Sequence, residues 1–251
     1  MRIGAKVQVF LALITACGGS GAASPSDVTG NQQTSGGTVP DWYKVFAGTG
    51  VSVKVDGNYV VISTTDVPDH KSPYFATTSS QYEAYNGTNK SFVLNPNRIA
   101  SQQMTFRIPI TPTKLTTPSP TPLGPIGVAT NGVAIFNQYA ANNQPLTGEI
   151  NSFDQYNGHP QMTGVYHYHI EPTWLTRSSR EVLLGVLLDG YPVYGPMENG
   201  ALVATTSLDA AHGHFSATKE FPNGVYHYHT TSDAPYINGS GFAGSPGTVS
   251  Q

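Results

Sequence analysis

The feature that most constrains the fold of this 251-residue chain is a histidine-rich pattern that occurs twice. Each copy has an Asp, a Gly-His pair that begins four residues later, and the hexapeptide Gly-Val-Tyr-His-Tyr-His. The first copy runs from Asp154 to His169, and the second runs from Asp209 to His229. Repetition of this kind is typical of two equivalent structural units.

The Tyr-His-Tyr-His block has the alternation of a β-strand. Successive side chains of a strand point to opposite faces, so His167 and His169 share one face, and the neighbouring tyrosines share the other. Two imidazoles on one face can bind one cation or two adjacent cations. We expect the tyrosine rings to be buried, with each hydroxyl bonded to a partner. The glycine before each Val-Tyr-His predicts a tight turn or a close backbone approach.

Several side chains are therefore candidates for a metal site, and none of them is a thiol. Neutral imidazole is a common metal ligand. The predicted ligands are His159, His167, His169, His214, His227 and His229. Two further histidines, His70 and His212, are weaker candidates. Asp154 and Asp209 are predicted to orient an imidazole through its second ring nitrogen. The alternative is a structural or proton-handling cluster of histidines without a metal.

Neither copy of the pattern resembles a complete domain with a core of its own. We therefore expect the two copies to pack around a pseudo-twofold axis, as duplicated units do when each cannot bury its face alone. All six predicted ligands would then line one pocket that holds one cation or a close pair.

The rest of the chain favours strands and turns over helices. Alternating residues at 51–55, the Asp56-Gly57 turn and the run 59–62 predict a β-hairpin. Residues 104–110 predict another strand, and the apolar run 182–188 predicts a strand buried on both faces. The Pro/Thr-rich segment 111–122 cannot be a central strand or a helix. The fold class is mainly β: a single sandwich- or barrel-like domain with long loops and few short helices.

The N-terminal residues predict export. Arg2 and Lys6 precede a short apolar run that fits a signal peptide and is too short to span a bilayer. The run ends at Cys17, the only cysteine of the chain, in a context typical of a lipobox. We predict a lipoprotein signal peptide over residues 1–16, a flexible lipid-attached tether over 17–38 and the domain over 39–251. Ordinary secretory cleavage with an incidental cysteine is the alternative.

The repeated blocks, together with several other segments, resemble the YHYH-domain family. The similar segments are Pro68-Asp69-His70-Lys71-Ser72-Pro73-Tyr74-Phe75, the residues from Leu123 to Val133, and those from Leu188 to Pro196. The resemblance covers most of residues 41–251. It specifies the module rather than a reaction, and it adds His70 to the candidate site residues because His70 lies in a family-like block.

Three functions fit these observations. The first is a copper-binding lipoprotein, because all-imidazole sites suit several transition metals and affinity peaks at copper, with zinc second. The second is a metal-dependent enzyme, either a copper oxidoreductase or a zinc hydrolase. The third is a surface binding module with structural histidines and a small-molecule or protein partner. The expected location is the periplasm or the cell surface, with the membrane as a partner through the lipid. A net charge of −3 without basic runs predicts no nucleic-acid partner.

Overall fold

Strands dominate the computed structural model, which describes residues 37–48 and 50–251. The first nine strands are β1 (Ser52–Asp56), β2 (Tyr59–Thr64), β3 (Met104–Pro109), β4 (Lys114–Ser119), β5 (Pro125–Ala129), β6 (Ala134–Phe136), β7 (Tyr139–Ala140), β8 (Gln144–Pro145) and β9 (Gly158–Pro160). The others are β10 (Tyr166–Tyr168), β11 (Leu183–Leu187), β12 (Pro192–Tyr194), β13 (Met197–Glu198), β14 (Ala201–Leu202), β15 (Gly213–Ser216), β16 (Val225–His229), β17 (Phe242–Gly244) and β18 (Thr248–Ser250).

Helical structure in the described part of the chain is limited to four short 3₁₀ turns. They are η1 (Asp41–Val45), η2 (Ala141–Asn143), η3 (Glu149–Ser152) and η4 (Thr205–Ser207). None of the helices there is long and apolar enough to cross a membrane. The prediction of a mainly β domain with few short helices is confirmed.

A four-stranded sheet is built on the predicted hairpin. Its order is β1-β2-β3-β18, and all of its pairings are antiparallel. Val60 and Ile62 of β2 and Phe106 and Ile108 of β3 are fully buried, as the alternating sequence of each strand requires. The proline-rich segment forms β4, which pairs only with β17 in a two-stranded ribbon. This position away from a sheet centre agrees with its prolines.

An eight-stranded sheet carries both copies of the histidine pattern. Its order is β15-β16-β12-β11-β5-β6-β10-β9, so it is open and has β15 and β9 at its ends. The predicted buried strand, β11, lies near the middle, and all five of its residues are buried. The four-stranded and eight-stranded sheets contribute side chains to one hydrophobic core, as in a sandwich.

The strand order of the large sheet is symmetric about its centre. One half, β5-β6-β10-β9, contains the first copy of the pattern, and the other half, β11-β12-β16-β15, contains the second. The halves meet at the antiparallel β5·β11 pair, where Val128 lies opposite Val186. Each half has an antiparallel hairpin, then a parallel strand with the Tyr-His-Tyr-His block, then the Gly-His strand at the edge. The predicted internal repeat is therefore a pair of equivalent structural units, which we call the first and second repeats.

Strand register places the two blocks on corresponding faces. Tyr168 pairs with Ile135, which pairs with Gly127. Tyr228 is connected in the same way, through Val193 and Gly185, to Ala129. Since residues 127 and 129 of one strand point the same way, the tyrosines of both repeats share one sheet face. The histidines of both repeats share the other.

Candidate metal centres

The first repeat brings three histidines and one glutamate together in what we call the first cluster: Glu149, His159, His167 and His169. His159 of β9 lies directly opposite His167 of β10, so their side chains share a face. His169 follows β10 on that same face. The Nε2 atom of His167 is 3.1 Å from Nε2 of His159 and 3.0 Å from Nε2 of His169. A Glu149 carboxylate oxygen lies 3.3 Å from Nε2 of His159.

The second repeat forms an equivalent second cluster: Glu198, His214, His227 and His229. His214 of β15 lies opposite His227 of β16. Nε2 of His227 is 3.2 Å from Nε2 of His214 and 3.0 Å from Nε2 of His229. A Glu198 carboxylate oxygen is 3.5 Å from Nε2 of His214. Each cluster thus offers three ring nitrogens and one carboxylate oxygen within 4.8 Å of one another, and could hold a metal ion.

Hydrogen bonds at the other ring nitrogen determine which nitrogen of each imidazole carries the proton. In the first cluster, Nδ1 of His167 lies 3.1 Å from the Val165 carbonyl, and Nδ1 of His169 lies 2.6 Å from the Asn137 carbonyl. A carbonyl can only accept, so each Nδ1 is the protonated donor. Ser152 donates its hydroxyl proton to the Glu149 carbonyl, so its oxygen is free to accept from Nδ1 of His159, 2.7 Å away.

The second cluster has the same arrangement at two of its rings. Nδ1 of His227 donates to the Val225 carbonyl at 3.0 Å, and Nδ1 of His229 donates to the Gly195 carbonyl at 2.7 Å. In a neutral ring with a protonated Nδ1, Nε2 is an acceptor with an exposed lone pair. Lone pairs on Nε2 atoms about 3 Å apart repel one another unless a cation lies among them.

Burial keeps these rings neutral. It lowers the pKa of His159 to about 3, with a further decrease from nearby His169. It likewise lowers the pKa of His169 and of His227 to about 4, and it moves the pKa of His167 and of His229 in the same direction. An imidazole must be neutral to coordinate a metal, so these rings need lose no proton at neutral pH.

The pKa of the glutamate is shifted in opposite directions in the two clusters. Burial raises the pKa of Glu149, and its Oε2 atom is buried without a hydrogen-bond partner. A buried carboxylate oxygen without a partner is unfavourable, and a cation in the first cluster would supply one. Burial also raises the pKa of Glu198, but a hydrogen bond from Ser216 and the nearby histidines outweigh it, so the net shift is downward.

Aromatic rings pack against the imidazoles and fix their orientation. Phe136 stacks on His167 with ring centroids 3.9 Å apart, and Phe153 stacks on His169 at 5.7 Å. In the second cluster Tyr194, which ends β12 as Phe136 ends β6, meets His227 edge-on at 5.1 Å. Rings held by packing and by Nδ1 hydrogen bonds are preorganised for a ligand set.

The tyrosines of both blocks are buried and bonded, as predicted. Tyr166 donates to Asp154 at 2.8 Å, and Tyr226 donates to Asp209 at 2.8 Å. The same carboxylates accept backbone N–H groups of the turn that precedes each Gly-His pair. Neither aspartate accepts from a ring nitrogen of the clusters in the described structure. The prediction that they orient imidazoles is therefore wrong, because they lie on the tyrosine side and anchor the turn.

His70 and His212 lie outside both clusters. Nδ1 of His70 bonds to the Lys71 carbonyl, and its Nε2 is 3.1 Å from the hydroxyl of Tyr168, on the tyrosine face of β10. His212 has a positive φ of 75°, and its Nε2 is 2.9 Å from the hydroxyl of Thr231. Their interpretation as weaker metal ligands is corrected, since both rings are occupied by other partners.

The predicted shared pocket is also wrong. Four strands separate β10 from β16 in the large sheet, so five strand spacings, or about 24 Å, lie between the two clusters. The pseudo-twofold axis passes through the β5·β11 pair, and the histidines lie on the outer strands of each half. The duplication therefore produces two remote sites.

The repeated pattern identifies neither glutamate as a ligand, because Glu149 and Glu198 both lie outside it. Of the two methionines near the repeats, Met162 is 88% exposed, and Met197 lines a cavity with His227 and His229. That cavity has a volume of about 560 Å³.

One comparison with known proteins gave a match. A family model described as YHYH protein matches residues 105–201 and 197–242, a region that contains both clusters. No curated protein matches the chain. No solved structure matches it either.

Proposed function

Because the chain belongs to the YHYH protein family, and that family's tetrapeptide supplies two ligands to each cluster, we propose that this protein binds two transition-metal ions. One ion would be held by Glu149, His159, His167 and His169, and the other by Glu198, His214, His227 and His229. The observation that carries the proposal is the convergence of unprotonated Nε2 atoms about 3 Å apart in both repeats.

The position of the glutamates supports the same proposal. Glu149 lies five residues before Asp154, and the residue five before Asp209 is Ala204. Glu198 lies four residues after Tyr194, and the residue four after Phe136 is Ala140. The two repeats thus obtain a carboxylate from non-equivalent positions. A requirement for one carboxylate beside three imidazoles explains this, and a divalent cation creates that requirement.

Copper is the metal that we propose, with zinc as the alternative. Three imidazoles and one carboxylate suit both ions, and the stability order of divalent metals peaks at copper. Neutral rings without thiolates also agree with Cu(II) rather than with a thiolate-selected metal. The ions would supply Lewis acidity and, for copper, one-electron chemistry. The chain's own contribution is the fixed set of four donors and their orientation by Val165, Asn137, Val225 and Gly195 carbonyls.

The test is the metal content of the full chain. After loading with an equimolar mixture of copper and zinc and removal of free metal, we expect two ions per chain by elemental analysis, mostly copper. His169→Gln and His229→Gln should each lower the content by one ion. His70→Gln is the matched control, because His70 is as buried as His169 and His229 but lies outside both clusters. A metal-free wild-type protein, or equal loss from the control, would exclude the proposal.

We further propose that the chain is exported and anchored by a lipid on Cys17, with the membrane as its partner. Cys17 and the tether through residue 36 lie outside the described residues, and the support is the lipobox-like sequence alone. Expression of Cys17→Ser tests this. The variant should leave the membrane fraction and lose the mass of the acyl chains, while an unchanged distribution would contradict lipid anchoring.

A further inference from the structure

We infer that the second cluster, and not the first, accepts an external ligand on its metal ion, and that this ligand is a small neutral molecule with a nitrogen or hydroxyl donor. The inference rests on the proposed metal binding and goes beyond it by giving the two ions different roles. The first ion would be enclosed by the protein. The second ion would be the one to which an external ligand binds.

A covering loop encloses the first cluster. The amide groups of Asn95 and Asn97 both donate to the carbonyl of Pro160, each at 3.1 Å. Pro160 directly follows the ligand His159. Two residues before Asn95, the Val93 N–H donates to the carbonyl of Asn151 at 2.8 Å, within η3. This loop, residues 93–97, therefore crosses both β9 and the 3₁₀ turn that supplies Glu149. His159, His167 and His169 are each at most 3% exposed, and His227 and His229 of the second cluster are as buried, so the two clusters differ in the exposure of His214.

The same position in the second repeat is uncovered. The side chain of His214 is 25% exposed, whereas that of its counterpart His159 is 4% exposed. The covering loop comes from the β2–β3 connection, which occurs once in the chain and has no counterpart in the second repeat. The difference in exposure between the two clusters thus arises from a segment outside both repeats.

Every member of the second cluster lines an open cavity. Glu198, His227 and His229 line the cavity of about 560 Å³, and Glu198 and His214 line a second one of about 410 Å³. No residue of the first cluster lines either cavity. A volume of 560 Å³ lies within the range of small-molecule sites, about 300–1,000 Å³. A further ligand could therefore reach the second cluster from the cavity.

The lining of the larger cavity selects against anions. Besides Glu198 it presents the carboxylates of Glu181 and Glu220 and a single cationic side chain, Lys219. A divalent ion balances Glu198 and leaves one positive charge, and the remaining lining carries a net charge of −1. The occupied site is then close to neutral, and the carboxylates of Glu181 and Glu220 along the same cavity disfavour an anion. The apolar walls, Val182, Leu183 and Met197 among them, suit an uncharged molecule.

The experiment uses the full chain loaded with two equivalents of Cu(II), with imidazole as the neutral probe and acetate as the anionic one. We expect imidazole to change the electron paramagnetic resonance spectrum of half of the copper, and acetate to need at least about tenfold higher concentration for the same change, a difference of about 1.4 kcal/mol. Removal of copper by a chelator should proceed in two phases of equal amplitude, with the responding half leaving first.

Variants show which cluster holds the half of the copper that responds to imidazole. His214→Gln should abolish the response to imidazole, and His159→Gln should leave it intact. Since a ligand variant can misfold, a second variant tests the cover directly. Asn97→Ala removes one of the two hydrogen bonds to Pro160 and leaves Asn95 in place, whose amide nitrogen lies 3.5 Å from Nδ1 of the ligand His159. In this variant the slow phase of copper removal should become faster, and the first cluster should begin to respond to imidazole.

The outcomes separate this inference from the proposed function. If no copper stays bound to the wild-type chain, both fail together. If two ions bind but both respond alike, neither responds, or only the half removed by His159→Gln responds, metal binding stands and the division between the clusters is wrong. If acetate binds as tightly as imidazole, the preference for a neutral ligand is wrong.

Discussion

At the scale of single residues, the hydrogen bonds of the ring nitrogens and of the aspartates have separate tasks. Backbone carbonyls and Ser152 accept hydrogen bonds from Nδ1 of the imidazoles. Asp154 and Asp209 accept hydrogen bonds from the tyrosines and the turns on the other side of the strand. The proposed metal binding and the packing of the fold thus depend on alternate residues of one strand. A substitution on one side should affect one function only.

Asp154→Asn tests this separation. Asp154 is buried and accepts from Tyr166, Ser72 and two backbone N–H groups, so the amide cannot satisfy the same four donors. We expect a loss of about 1–3 kcal/mol in the free energy of unfolding, measured by urea titration of the metal-free protein. The affinity of the first cluster for copper should change less than about threefold, since no ligand ring is bonded to Asp154. A large loss of affinity with unchanged stability would restore the imidazole-orienting role.

The buried histidines also make an expectation for acid stability. The pKa of His159 is about 3 and that of His169 and His227 about 4, below the ordinary value of 6.5, because burial disfavours the imidazolium form. The unfolded chain takes up protons below about pH 6.5, whereas these folded rings do not until about pH 3–4, so their contribution is complete above pH 6.5 and is lost as the pH falls towards the folded values.

Calorimetry of the metal-free chain between pH 7.5 and 4 measures this loss. We expect the Tm to fall continuously below about pH 6.5. His169→Gln should make this fall less steep, because the unfolded variant takes up one proton fewer per chain than the unfolded wild type. The same pH dependence of Tm in the wild type and in His169→Gln would show that this ring is not buried as a neutral group in the folded protein.

At the scale of single elements, the glycine before each edge histidine gives room to a tyrosine. A Cβ atom at Gly158 would lie 2.3 Å from the ring of Tyr166, and one at Gly213 would lie 2.6 Å from the ring of Tyr226. The Gly-His pair is thus a packing requirement of the β9·β10 and β15·β16 hairpins as well as a ligand position. Gly164 and Gly224, with φ of 85° and 90°, form the tight turns expected before Val-Tyr-His.

Gly158→Ala should therefore destabilise the domain. The Tyr166 ring is fully buried and bonded to Asp154, so it cannot move aside without cost. We expect a loss of about 1–3 kcal/mol, or roughly 2–12 °C in Tm. Gly148→Ala is the matched control in the same repeat, because a Cβ there meets nothing within 4 Å and its φ of −87° suits any residue. Equal Tm values for the two variants would contradict the packing role.

Strand-level prediction succeeded where side-chain alternation carried the information. The hairpin at 51–62 and the His-x-His strands follow from a period of two, and the buried strand β11 follows from a continuous apolar run. The six predicted ligands all lie in the two clusters because each repeat placed its histidines on one face. Glu198 was missed because it has no counterpart in the first repeat, so no repetition marked it. The roles of the aspartates and of His70 depend on which sheet face they reach, and that is set by contacts distant in the sequence.

At the scale of the whole molecule, the two clusters are independent. About 24 Å of sheet and no shared residue lie between them, and distant sites without shared partners contribute additively. The double variant H167A/H169A should therefore bind half of the wild-type copper, and isothermal titration should give the remaining site its wild-type affinity within about twofold. Loss of both ions in a variant that retains its β-sheet circular dichroism would show coupling between the clusters.

The pairing of β5 with β11 has a consequence for what half of this molecule would do alone. A polypeptide with only one repeat would leave that strand as an open edge, with its backbone N–H and C=O groups unpaired. Since Val128 and Val186 occupy equivalent positions and face each other in antiparallel register, such an edge is complementary to a second copy of itself. Two half-length chains would thus close into a symmetric homodimer, the isologous geometry in which one patch meets its own image. The eight-stranded sheet of the present chain has the architecture of that dimer, with the two subunits joined in one polypeptide.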